Sequence, residues 1–130
     1  VSYDLFSGHK VLIVEDNKIN QFVTKKALEK IDFECHIAEN GFDALEILKK
    51  ENFDLILMDI NMPGLNGFET TIKIRQRNIT TPIIALTAFS KLEVEKDSID
   101  SGMNAVVVKP FEFSELYSII SCLVDKKNAD

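Results

Sequence analysis

No apolar run in this chain approaches the ~20 residues needed to span a bilayer, and no secretory signal pattern opens it. Membrane contact by this segment is therefore not expected, although a longer parent chain is free to be membrane-anchored. Positive charge is scarce. Fifteen Lys and Arg face 21 Asp and Glu, for a net charge of −6, which disfavours nonspecific contact with nucleic acid or anionic lipid. Cysteine is scarce too. Cys35 and Cys122 lie far apart, each among apolar neighbours, and are expected to be buried free thiols of a reducing, cytoplasmic compartment. Low-complexity tracts are absent. What remains is 130 residues, 45% of them hydrophobic, enough for one domain with a substantial core. Val1 rather than Met opens the chain, which reads as a piece of something longer. Residues 1–9, with Ser7-Gly8, read as linker, 10–125 as the domain and 126–130 as a polar tail.

The domain alternates strand and helix patterns. Short apolar runs at 10–14, 33–38, 53–58, from Pro82 onward, and at 105–108 have strand length. Helical spacing appears between them. Residues 17–30 carry Ile19, Phe22, Val23 and Ala27. Residues 41–50 place Phe42, Leu45 and Leu48 inward, and 66–77 carry Ile72 and Ile74. Ser90-Lys91-Leu92-Glu93 has the form of a capping box opening a fourth helix, with Leu92, Val94 and Ile99 apolar and Gly102 at its end. Leu116, Ile119, Ile120, Leu123 and Val124 mark the fifth. Five such units predict an α/β fold whose parallel sheet is covered on both faces. Of the two common doubly wound orders, five strands fit 2-1-3-4-5, whose switch point lies between the first and third strands.

Chemistry-bearing residues cluster at the strand ends. The first run ends in Glu15-Asp16, the third in Asp59, the fourth in Thr87-Ala88 and the fifth in Lys109-Pro110. In an open α/β sheet these ends converge on one crevice, where ligands bind. Clustered carboxylates cannot all stay ionised there without a counter-cation. Oxygen ligands without His or Cys favour a hard divalent ion, and Mg2+ is typical where carboxylates and a phosphate share it. Lys109 adds a cation for a phosphate oxygen and Thr87 a hydroxyl donor. Together they form a kit for phosphoryl transfer, with Asp59 as covalent acceptor.

These residues carry a resemblance. Glu15-Asp16-Asn17, Asp59-Ile60-Asn61-Met62-Pro63-Gly64 with Gly67, Thr87-Ala88 and Lys109-Pro110-Phe111 together resemble the receiver domain of two-component response regulators, over about residues 10–125. The resemblance implies a flavodoxin-like three-layer (βα)5 fold with strand order 2-1-3-4-5. It implies that Asp59 is the phosphoacceptor, that Asp16 binds Mg2+ directly and Glu15 through water, and that the backbone carbonyl of Asn61 is a further ligand. Lys109 would contact the phosphoryl group, Thr87 would be the switch hydroxyl, and Lys109-Pro110 would be cis. The implied phosphodonor is a histidine kinase domain, with a histidine phosphotransfer protein as the onward acceptor. Residues 14–21 with 58–63 resemble receivers attached to hybrid sensor histidine kinases. Such a module phosphorylates and dephosphorylates itself. One position departs from the pattern: Val106 stands where many receivers carry Tyr or Phe, so an aromatic switch at that site is absent.

Rival readings stay open at this point. A stand-alone or output-coupled regulator shares every motif. A phosphatase of the haloacid dehalogenase type also uses phospho-Asp, Mg2+ and Lys, but wants a second Asp where this chain has Asn61, and a nucleophile after the first strand. A flavin-binding module needs a small-residue phosphate loop where Glu15-Asp16-Asn17 would repel the phosphate. Singly, Asp59 reads as a turn carboxylate, Glu15-Asp16 as a helix cap, Thr87 as a turn hydroxyl and Lys109 as a solvated charge. His9 and His36 read as surface histidines, and Phe111 and Phe113 as core or rim packing.

Overall fold

Five strands form as the apolar runs predict: β1 (Lys10–Val14), β2 (Glu34–Ala38), β3 (Leu55–Asp59), β4 (Ile83–Thr87) and β5 (Ala105–Val108). Between and after them run α1 (Lys18–Glu29), α2 (Gly41–Leu48), α3 (Gly67–Gln76), α4 (Lys91–Ser101) and α5 (Phe113–Leu123). The structure, a computed structural model, describes residues 6–124; the expected polar tail at 126–130 lies outside them. All strands are parallel, in the order β2-β1-β3-β4-β5. The central strands β3 and β4 are buried throughout, whereas the edge strands β2 and β5 are mostly half-buried.

Strand alternation divides the core into two layers. Leu12, Val14, Ile56, Met58, Ile83 and Ala85 face Leu45, Ile74 and Val94 of α2, α3 and α4. Val11, Ile13, Leu55, Leu57, Ile84 and Leu86 face Leu28, Leu116 and Ile120 of α1 and α5. The first three helices open on asparagine caps. Asn17 Oδ1 accepts from Asn20 N–H, Asn40 Oδ1 from Asp43 N–H, and Asn66 forms a full capping box with Glu69. The expected box at Ser90 does not form, since that side chain makes no cap bond. Gly102 does end α4, in the left-handed region with φ 108°.

Helix phase decides which apolar residues turn inward, and Phe42, expected inward, does not. In α1 the inward residues are Gln21, Thr24 and Leu28, so Ile19, Phe22 and Val23 face outward, Ile19 being 74% exposed. Phe42, Ile72, Leu92 and Ile99 are likewise exposed. The thiols are not buried: Cys35 lies half-buried on the edge strand β2, and Cys122 is exposed on α5. The linker reading does not hold from residue 6 onward. Phe6 is fully buried, stacked on Phe33 at 4.9 Å and edge-on to Tyr117. His9 is buried beside the same rings rather than at the surface. His36 is partly exposed and paired with Glu34 at 2.6 Å. No helix among the described residues is long and apolar enough to cross a membrane.

At the end of the sheet away from the polar cluster, Arg75 ties three elements together. Its guanidinium donates to Gly102 O, Ile79 O, Thr81 O and Asn104 Oδ1 at 2.8–3.0 Å. Truncation strands these partly buried acceptors. Arg75→Ala should therefore lower stability by about 2–3 kcal/mol, and Arg75→Lys should restore little, because an ammonium cannot reproduce the fork. Urea unfolding of the three proteins measures it; a loss under about half a kilocalorie would show that water replaces the guanidinium.

Candidate functional site

The carboxyl ends of β1, β3, β4 and β5 lie side by side because the strands are parallel and adjacent. β1 leads into Glu15-Asp16, β3 ends on Asp59, β4 ends on Thr87, and Lys109 follows β5. Carboxylate oxygens of Glu15, Asp16 and Asp59 come within 4.8 Å of one another. Glu15 and Asp59 are buried, at 1% and 5% exposure, while Asp16 is open to solvent. Lys109 Nζ lies 2.9 Å from Glu15 Oε1 and 3.9 Å from Asp59 Oδ1. The Lys109-Pro110 peptide is cis, as the resemblance implied.

Main chain holds the carboxylates in place. Asn17 N–H donates to Glu15 Oε2 at 3.2 Å, and Asn61 N–H donates to Asp59 Oδ1 at 3.1 Å. The cap of α1 is Asn17, so the acid pair before it is not spent on capping. Thr87 is fully buried, and its Oγ1 accepts from Phe89 N–H at 3.0 Å. Two supports escaped the sequence reading or were only part of a motif in it. Gln21 donates from Nε2 to Glu15 O at 2.7 Å; its one signal is a polar residue on the inner stripe of α1. Gly67 was noted only as part of the motif. A Cβ there would stand 2.5 Å from Asp59 O and 2.8 Å from Ile60 Cα, so α3 begins directly against the Asp59 backbone.

Electrostatics follow from this geometry. Burial, then the neighbouring Glu15 carboxylate, push the Asp59 carboxyl up to about 7, against the pull of Lys109. Burial alone would raise Glu15 as well, but the hydrogen bond from Lys109 and the Asn17 N–H outweigh it and hold Glu15 below its ordinary range. One ammonium thus serves two buried carboxylates and favours Glu15. The remaining negative charge, offered by oxygens alone, suits a hard divalent cation. His9 and His36 are not part of the cluster.

The family model for the response regulator receiver domain matches residues 11–121. Hybrid signal transduction histidine kinase K of Dictyostelium discoideum is 41% identical over 127 residues, 91% of this chain and 10% of that protein. Autoinducer 2 sensor kinase/phosphatase LuxQ of Vibrio vulnificus is 40% identical over 111 residues, 85% of this chain and 13% of that protein. The chain thus spans about a tenth of the length of these relatives. Among solved structures, the receiver domain of sensor histidine kinase PA1611 from Pseudomonas aeruginosa, with magnesium in its active site cleft, superposes with TM-score 0.83. It is 33% identical, and the match covers 90% of this chain and 98% of that one. The chain belongs to the response regulator receiver domain family, with the flavodoxin-like fold of that class.

The raised Asp59 carboxyl has a measurable sign. Between its unfolded value of about 3.9 and its folded value of about 7, the native state holds a proton that the unfolded chain has lost. Stability of the metal-free domain should therefore fall as pH rises through that window and stay reduced above it. Glu15 acts in the opposite sense, below the usual carboxylate range. In chelator, Asp59→Asn should gain about 1–3 kcal/mol over wild type near neutral pH and nothing near pH 4. Denaturant curves at the two pH values measure it; an equal gain at both would remove ionisation as the cause.

Proposed function

We propose that this domain accepts a phosphoryl group on Asp59 from the phosphorylated imidazole of a histidine kinase, with Mg2+ in the acidic crevice. The observation that carries this reading is the convergence of Glu15, Asp16 and Asp59 with Lys109 at one set of strand ends. Asp16, Asp59 and the backbone carbonyl of Asn61 would hold the metal. Both Glu15 oxygens are already engaged, by Lys109 and by Asn17 N–H, which fits a contribution through water. Bound Mg2+ would supply positive charge to the crowded carboxylates and to the incoming phosphoryl oxygens.

The residues then divide the work. An Asp59 carboxylate oxygen attacks phosphorus, the P–N bond breaks, and the imidazole nitrogen leaves with its electron pair. Lys109, 3.9 Å from Asp59 Oδ1, shifts from Glu15 to a phosphoryl oxygen. The Thr87 hydroxyl donates to another. The parent chain in this reading is a hybrid kinase in the cytoplasm, and the phosphoryl group passes onward to a histidine of a phosphotransfer bundle. Exposed Ile19, Phe22 and Val23 on α1 support docking of such a helical partner. Val23 also lines a cavity of about 420 Å3, together with Asn20, Thr24, Ala88, Lys109 and Phe111, beside the reacting groups.

Acetyl phosphate should add one phosphoryl group to wild type, only with Mg2+, and none to Asp59→Asn. Intact-mass spectra decide, and equal labelling of both would move the acceptor elsewhere. The roles of Asp16 and Lys109 separate in a metal titration. Asp16→Ala should weaken Mg2+ binding at least tenfold by removing a ligand. Lys109→Ala should leave it intact or tighter by removing a competing cation, yet still impair phosphorylation. Equal loss of Mg2+ in both variants would contradict the assignment.

A further inference from the structure

Val106 is too small and too stiff at χ1 to report the state of the site by moving a ring. The polypeptide places another aromatic next to the switch hydroxyl. Phe89 is 47% exposed in the loop between β4 and α4, and its own N–H is the donor that holds Thr87 Oγ1, at 3.0 Å. Resting on the phosphoacceptor reading above, we propose that Phe89 is the residue whose ring changes environment when Asp59 is phosphorylated, because its peptide N–H is released as the Thr87 hydroxyl turns to the phosphoryl group.

The physical argument is an exchange of hydrogen bonds. Thr87 is β-branched and fully buried, so its hydroxyl occupies one of a few discrete rotamers and does not drift between them. In the unphosphorylated domain that oxygen accepts a neutral bond from Phe89 N–H. A phosphoryl group offers the same hydroxyl a charge-assisted acceptor, roughly twice as strong. The N–H that is given up belongs to an exposed residue in a part-buried bond, and movement of the loop brings it to water. The loop therefore has two states, and the site selects between them.

The freed ring has somewhere to go. Between α4 and β5 lies a groove of about 240 Å3, bounded by Lys91, Glu95, Ile99, Met103, Val106 and Ile119. Lys91, the first residue of α4, stands two positions after Phe89 and forms one wall. Val106 forms another, and its small side chain leaves space that a larger residue would fill. A half-exposed phenyl ring gains by leaving water for such a groove. Phe89 would thus act as a positioning residue through its amide and as the moving part through its ring.

The chain contains no tryptophan, so Phe89→Trp introduces a single optical reporter. With Mg2+ and beryllofluoride, its emission should move several nanometres to shorter wavelength. Combined with Thr87→Val, and with beryllofluoride raised until the adduct is present, the emission should stay fixed. In wild type, hydrogen exchange at the Phe89 amide should quicken at least tenfold in the same complex, a test that does not depend on a variant folding. Native mass spectra report whether the adduct is present. A formed adduct with unmoved emission and unchanged exchange overturns the inference alone. Failure of any adduct to form on the intact domain overturns the phosphoacceptor reading and this inference with it.

Discussion

Two buried carboxylates share one ammonium, and the rest of the site is arranged around that shortage. Glu15 and Asp59 are both withdrawn from water, yet Lys109 sits within hydrogen-bond reach of Glu15 alone. Without further help the cheaper state keeps a proton on Asp59. A cation entering the crevice would favour the ionised carboxylate, so metal occupancy and the charge state of Asp59 are linked. Replacing the carboxylates with apolar groups would relieve the strain and abolish the reason for the crevice.

The sheet makes this crowding affordable. β3 and β4 are buried along their whole length, and their side chains alternate into two dry layers. A tightly packed slab keeps the strand ends in fixed register, so the polar groups cannot drift apart to lower their repulsion. Asparagine caps at the starts of α1, α2 and α3 fix the loops on the same side of the sheet. α4 has no side-chain cap bond, and it follows the loop that carries Thr87 and Phe89. Of the helices without such a bond, α4 and α5, the first follows Thr87 and the second follows Lys109, whereas the capped α1 and α3 follow the acidic residues.

Much of this was legible in the residues. Short apolar runs ending in Glu15-Asp16, Asp59, Thr87 and Lys109 announce both the parallel sheet and the crevice, because a buried strand can end on a charge only at a solvated edge. What was not legible is what depends on rotation or on distant partners. The apolar residues of α1 share a helical face, but periodicity does not say that the inward face is the one carrying Gln21, Thr24 and Leu28. The Ser90 motif has the letters of a capping box, yet the box that forms is at Asn66 and Glu69, since either set of letters is compatible with both outcomes. Phe6 lies in a stretch with loop composition, and only tertiary contact with Phe33 and Tyr117 shows that it belongs to the core. The cysteines failed similarly: an apolar neighbourhood in sequence became an edge strand and an outward helix face in space.

Gly67 leaves no side chain between the start of α3 and the main chain of Asp59. A side chain at that position would push α3 away from the end of β3, and the carboxylate that β3 carries would shift with it. The spacing between Asp59 and Lys109 is therefore guarded by a residue that offers no polar group of its own.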